Sequence, residues 1–176
     1  MEAEEIRSRI KTIDATTDWD EGERVLRELG GSRSLLPFLL EAYPTFRKYQ
    51  ARVTAIYFAL PYARSTFNDE NAFALVLLGL QDKAKLPRYW ACRGAADAMR
   101  PEALPALRRL AEHSDPETRE WAERATRAIE KKEAGEFVGP GVKATWAGAT
   151  QDDDILQLLA GLRDIGIDDT DVTIYD

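Results

Sequence analysis

The segment Arg88-Tyr89-Trp90-Ala91-Cys92-Arg93 returns thirty-one residues later as Arg119-Glu120-Trp121-Ala122-Glu123-Arg124, so one Arg-x-Trp-Ala-x-Arg pattern is written twice in 176 residues. A looser copy, Arg47-Lys48-Tyr49-Gln50-Ala51-Arg52, again sets an aromatic between two arginines at that spacing. A pattern that recurs at a near-constant interval marks a repeated supersecondary unit. Such a unit cannot bury its apolar face alone and depends on the next copy for a core. This recurrence constrains the fold more than any other feature of the chain.

The residues around the repeats read as helical hairpins. In EALPALRRLAEH, 102–113, Ala103, Leu104, Leu107, Leu110 and Ala111 recur at helical spacing and form one apolar stripe. A break at Ser114-Asp115 follows. Either residue can cap the next helix, Pro116 suits its first turn, and Glu117 favours the positive end of its dipole. That helix, 116–132, offers Thr118, Ala122, Ala125 and Ile129 for burial. Upstream, SLLPFLL leads through a Pro44 turn into FRKYQARVTAIYFAL, and NAFALVLLGL pairs with PRYWACRGAADAM across Asp82-Lys83-Ala84-Lys85. Segments 2–13 and 18–29 add two charged amphipathic helices, the second capped by Asp18 or Asp20 and stopped at Gly30-Gly31. Helical pairs with a period of roughly 31–41 residues predict an all-α chain built as a solenoid.

Leu104-Pro105-x-Leu107, followed by Asp115-Pro116-Glu117-x-Arg119-x-x-Ala122-x-x-Ala125-x-x-x-Ile129, resembles a HEAT repeat. In that family an Asp-Pro turn joins helix A to an alanine-lined helix B that begins with an arginine. The resemblance spans roughly residues 32–132 and is closest in the last hairpin. It implies a short right-handed stack of three to four hairpins. It also implies that Arg88, Arg119 and, as a third member, Arg47 bond carbonyls or an acidic side chain of a neighbouring hairpin, with Trp90 and Trp121 wedged between layers. Proteins of this kind mostly bind other macromolecules, which favours recognition over chemistry.

After Lys132 the composition changes. Residues 133–151 contain four glycines and a proline without helical period, and read as a linker. Residues 152–166 restore a helix, with Asp152 or Asp153 as cap, Ile155, Leu158, Leu159 and Leu162 as stripe, and Gly166 as stop. VTIY, 172–175, alternates weakly, as a short extended strand does. The expected division is a repeat domain over 1–132, a linker over 133–151, and an acidic helix and tail over 152–176. Residues 151–176 carry eight aspartates against Arg163, so the net charge of −7 lies entirely in this tail, while 83–132 hold twelve Lys or Arg against eight acids.

Several function classes are disfavoured. FALVLLGL, 73–80, falls short of the roughly 18–20 apolar residues a membrane helix needs. The acidic start MEAEEIRSRIK lacks the basic flank and apolar run of a secretory signal, so a cytoplasmic location is expected. Cys92 is alone and His113 is the single histidine, so neither a disulfide nor a zinc site of usual ligands is expected, and no cofactor is implied. Asp168, Asp169 and Asp171 do not match a calcium loop. Nucleic-acid binding is disfavoured by the pI near 4.9 and by Glu117, Glu120, Glu123 and Glu130 among the arginines of the last helix. Cys92 reads as a buried core thiol and His113 as a cap at the end of its helix, and no nucleophile is tied to either by spacing.

The expected function is non-enzymatic recognition of a protein, most concretely an immunity-type inhibitor that occludes a basic partner such as a toxin. Its contacts would be the carboxylates of Asp152, Asp153, Asp154, Asp168, Asp169 and Asp171, with Trp146 or Tyr175 as anchor. The alternative is a scaffold or adaptor in which Arg93, Arg124 and Arg127 on the B-helix face take an acidic partner.

Overall fold

The structure is a computed structural model that describes residues 2–16 and 19–132, the side chain of Trp19 excepted. The expected linker, acidic helix and strand of residues 133–176 lie outside the described residues, as do Asp18, Trp146, Asp152, Asp153, Asp154, Asp168, Asp169, Asp171 and Tyr175.

Among the described residues all regular structure is helical, as the periodicity predicts. The α-helices are α1 (Ala3–Thr12), α2 (Trp19–Glu28), α3 (Leu36–Ala42), α4 (Tyr49–Ala63), α5 (Glu70–Gly79), α6 (Lys85–Ala98), α7 (Leu104–Leu110) and α8 (Pro116–Lys131). Capping follows the residue chemistry where the right side chain is present. Asp69 accepts from Asn71 N and Ala72 N at the start of α5, and Asp115 accepts from Thr118 N at the start of α8. Asp20, by contrast, lies within the first turn of α2 instead of preceding it. Gly30 and Gly31 end α2 at φ of +95° and +58°, a conformation that costs glycine nothing. Pro37 and Pro105 sit in the first turns of α3 and α7, each of which follows a short 3-10 turn. The predicted helix over 102–113 is correspondingly shorter.

Helix α5 packs against both α4 and α6, and α7 against α8, whereas α1 and α2, and α3 and α4, meet only slightly; the even-numbered helices also pack on one another in the order α2, α4, α6, α8. Helices α4, α5 and α6 make the densest part. Ile56, Val53, Leu75, Val76, Ala91 and Ala95 are all essentially inaccessible to water there. Each fully buried Leu, Ile or Val contributes about 1.5–3 kcal/mol. A Cβ on Gly79 would stand 2.5 Å from Ile56 Cδ1 and 2.7 Å from Ala91 Cβ, so a hydrogen at this position is what lets the three helices meet.

One arginine sits at the fourth position of three consecutive even-numbered helices: Arg52, Arg88 and Arg119. Each guanidinium folds back on the turn before its own helix and donates from Nη1 to the carbonyls six and five residues upstream. Arg52 meets Phe46 O at 2.9 Å and Arg47 O at 3.1 Å. Arg88 meets Asp82 O at 3.0 Å and Lys83 O at 2.8 Å. Arg119 meets His113 O at 2.8 Å and Ser114 O at 2.9 Å. Arg52 also reaches forward, donating from Nε to Asp82 Oδ2 at 2.6 Å and from Nη2 to Oδ1 at 3.3 Å, and so ties its turn to the next one.

This geometry corrects the expected alignment. The equivalent of Arg88 in the upstream pair is Arg52, five residues beyond Arg47. Arg47 is exposed and contributes its backbone N–H to Asp14 Oδ1 at 2.8 Å. The spacing misled because arginines stand at both ends of that segment, and only position within the helix decides which one faces the turn. In α2 the fourth position is Gly22, packed on Thr54, so the first pair has no such arginine.

Asp82 is 4% exposed at its side chain and Arg52 7%. Asp82 Oδ2 also accepts from Tyr43 Oη at 2.8 Å, and its Oδ1 from Ala84 N at 2.8 Å. Removing one member of a buried ion pair leaves the other charge uncompensated. Asp82→Ala is therefore expected to cost about 3–5 kcal/mol in urea unfolding, and the double variant Arg52→Met, Asp82→Leu markedly less than Asp82→Ala alone.

Candidate protein-docking face

With the turns held by the arginines, the residue two places after each helical arginine falls at the boundary between neighbouring even-numbered helices. In α6 and α8 these residues are Trp90 and Trp121. Trp90 meets Tyr57 of α4 edge to face, with centroids 5.0 Å apart and planes at 80°. Trp121 meets Tyr89 of α6 at 4.8 Å and 68°. Tyr89 and Trp90 touch at 5.1 Å and 72°, which closes a row of four rings across α4, α6 and α8. Edge-to-face contact sets the positive rim of one ring against the negative face of the next, worth about 0.5–1.5 kcal/mol per pair beyond burial. All four rings are half-buried, so the row is both a packing seam and part of the surface.

Cations flank the row. Arg93 Cζ lies 5.6 Å from the Trp90 centroid, and Lys85 Nζ 5.6 Å from that of Trp121. Lys85 also pairs with Glu117 at 3.0 Å and Asp115 at 3.5 Å. Arg124 Nη2 donates to Glu120 Oε1 at 2.5 Å. Of the arginines expected to be exposed, Arg127 is, whereas Arg93 and Arg124 are half-buried. Burial over an indole and pairing along the helix explain the difference. The structure thus brings Arg93 to the aromatic row and places Arg124 and Arg127 on the helix that carries Trp121.

Spacing alone missed Tyr57, Tyr89, Lys85, Glu23 and Asp97. Tyr89 lies inside the repeated hexapeptide, and Tyr57 would have been found by aligning on Arg52, since it then matches Arg93 and Arg124. Burial pushes the Glu23 carboxyl above its ordinary range, with Arg27 opposing and Asp20 adding to the shift. The Tyr57 phenol is likewise raised, first by burial and then by the Glu23 charge, while Arg93 lowers it. Asp97 is raised by burial, against the pull of Arg64 and Arg93. The edge of the face therefore holds partly desolvated carboxyls beside a guanidinium.

Cys92 and His113 have structural surroundings. Cys92 is fully buried, and its thiol is pushed up to about 12 by that burial. His113 follows α7, and its Nδ1 accepts from Asp115 N at 3.0 Å. It serves the turn into α8, and not the carbonyl end of α7 as its position had suggested. Among the described residues no three His, Cys, Asp or Glu side chains are grouped to hold a metal, and no helix is long and apolar enough to cross a membrane.

A thiolate is the reactive form of cysteine. Cys92 is expected to resist aromatic disulfide reagents in the native protein at pH 8 and to react at once in denaturant, as a colorimetric thiol assay will show. For Asp97 the folded-state carboxyl titrates above its unfolded value, so its charge subtracts stability at neutral pH. That penalty shrinks as pH falls through the folded pKa and vanishes below the ordinary value of 3.8. Asp97→Asn is thus expected to melt higher than the parent at pH 7, with the gap closing in acid, in melts run across that range.

Comparison with protein-family models finds no match, and comparison with curated proteins and with solved structures finds no significant one.

Proposed function

We propose that this chain is a non-enzymatic protein-binding module of scaffold or adaptor type, its helical pairs being HEAT-like repeats in a short solenoid. In this reading the even-numbered helices form the docking layer, and the partner contributes a segment with apolar and acidic side chains. The observation that carries it is the row Tyr57, Trp90, Tyr89, Trp121. Half-buried tyrosines and tryptophans with arginine beside them are the residue types that dominate binding energy at protein interfaces. Arg93 and Arg124 supply planar donors that fit a carboxylate with two parallel bonds. The recurrent arginine, its carbonyl partners and the alanines behind it (Ala91, Ala95, Ala122 and Ala125, all buried) support the HEAT-like assignment.

The inhibitor reading places binding on Trp146, Tyr175 and the aspartates of 152–171. Those residues lie outside the described ones, and the aromatic row lends that reading no support.

A tagged full-length chain isolated from its native cells provides the test. Arg93→Glu with Arg124→Glu is expected to reduce capture of the partner at least about tenfold, equivalent to roughly 1.4 kcal/mol, and added salt to weaken capture by the parent. Arg108→Glu on α7 serves as the control, because Arg108 is exposed and pairs with Glu130, near the far end of α8 from Trp121. Capture that survives the double charge reversal but fails with Arg108→Glu would refute the assignment of the face.

A further inference from the structure

Arg88 marks a point where a repeated device is left incomplete. It is 5% exposed, yet it forms an ion pair with no carboxylate among the described residues, and its Nε finds no acceptor there. Its contacts are the Asp82 and Lys83 carbonyls and, from Nη2, Thr118 Oγ1 at 3.3 Å. A buried cation is ordinarily paired, because moving a charge out of water without a counter-charge is costly.

Arg52 shows what the complete device contains. Six residues before Arg88 stands Asp82, whose carboxylate accepts both from Arg52 of the preceding pair and from the backbone N–H two residues on, Ala84 N. Six residues before Arg119 stands His113, which likewise accepts from the backbone N–H two residues on, Asp115 N. His113 therefore occupies the position of Asp82 and keeps its local role, but it carries no negative charge for Arg88.

The same residues border open space. A groove of about 490 Å³ is lined by Leu80 to Lys83, Arg88, Ala106, Arg109, Leu110 and His113. Its charged lining is Lys83, Arg88 and Arg109 against Asp82 alone, and Asp82 is already held by Arg52, Tyr43 and Ala84 N. The groove is a cationic depression beside a buried guanidinium that has no carboxylate partner among the described residues.

We propose that this groove binds a carboxylate, presented by an aspartate or glutamate side chain on an acidic peptide segment of a partner. The carboxylate takes the part that Asp82 plays for Arg52, seated between Lys83, Arg109 and His113 beside Arg88. The site shares no residue with the aromatic row, so its test is independent of that face.

The test is an NMR titration of the full chain with a short blocked peptide of aspartates separated by glycines, the asparagine version being the neutral control. The Arg88 Nε–H signal and the amides of Gln81 to Lys83 and Arg109 to His113 should shift saturably with the first peptide and stay still with the second. Lys83→Gln with Arg109→Gln, both exposed positions that leave the core intact, should weaken binding about tenfold. His113→Asp restores the carboxylate of the complete device. It is expected to abolish peptide binding and raise the thermal midpoint together. Peptide affinity that His113→Asp leaves unchanged, a midpoint that does not rise, or shifts produced by inorganic phosphate but not by the aspartate peptide would each overturn the proposal.

Discussion

A guanidinium folded back over the head of its own helix is the interaction on which the rest of this structure depends. Arg52, Arg88 and Arg119 each close the turn that delivers their own helix, by holding two consecutive carbonyls with one Nη1. Those carbonyls belong to irregular backbone and lack helical partners, so a donor must be brought to them. Arginine suits the task because its planar fork of five donors leaves others free for a second bond in a different direction. Arg52 uses them on Asp82, and the turn of one helical pair becomes fastened to the turn of the next.

Fixing the turns determines what the helices display. Once the fourth position of α6 and of α8 faces the turn, the helical period fixes where the sixth and ninth fall. Trp90 and Trp121 are brought to the seam with the preceding helix, and Arg93 and Arg124 follow one turn later. The aromatic row is thus a consequence of the arginine register. One short pattern encodes both a clamp at the helix head and a lateral contact along its flank. The half-burial of the rings gives them both stability and recognition potential, since enough of each indole and phenol remains at the surface to meet another molecule.

The helices are not uniform. Helices α4 and α5 bury residues on several sides, while α1, α2 and α8 keep charged outer faces. Gly22 stands at the arginine position of α2 and Thr54 at the tryptophan position of α4, and Asp14 accepts there from the backbone of Arg47 and Lys48. In the next even-numbered helix, Arg88 has no counterpart, among the described residues, of the carboxylate that Arg52 holds. Departures from the repeat therefore fall on either side of the complete Arg52 and Asp82 clamp, and the second opens onto a cation-lined groove.

Much of this was readable from the chain alone. Helical class, a cap at Ser114 or Asp115 and the stop at Gly30-Gly31 followed from apolar period and local backbone chemistry, which act over a few residues and leave direct marks in the sequence. The left-handed end of α6 at Met99, φ of +51°, left no such mark, because no glycine announces it. That Arg52 and not Arg47 holds the clamp position is hidden in the string for a related reason. Two arginines five residues apart look alike in a string, and only the packed helix shows that Arg52 turns inward. The sequence by itself determined the helices and the recurrence of their motif, since both are local. Tertiary structure alone decided which arginine forms the clamp, that Tyr57 joins Trp90, and that Arg88 meets Thr118 and no carboxylate among the described residues, because each of these depends on atoms about thirty residues apart in the chain meeting in space.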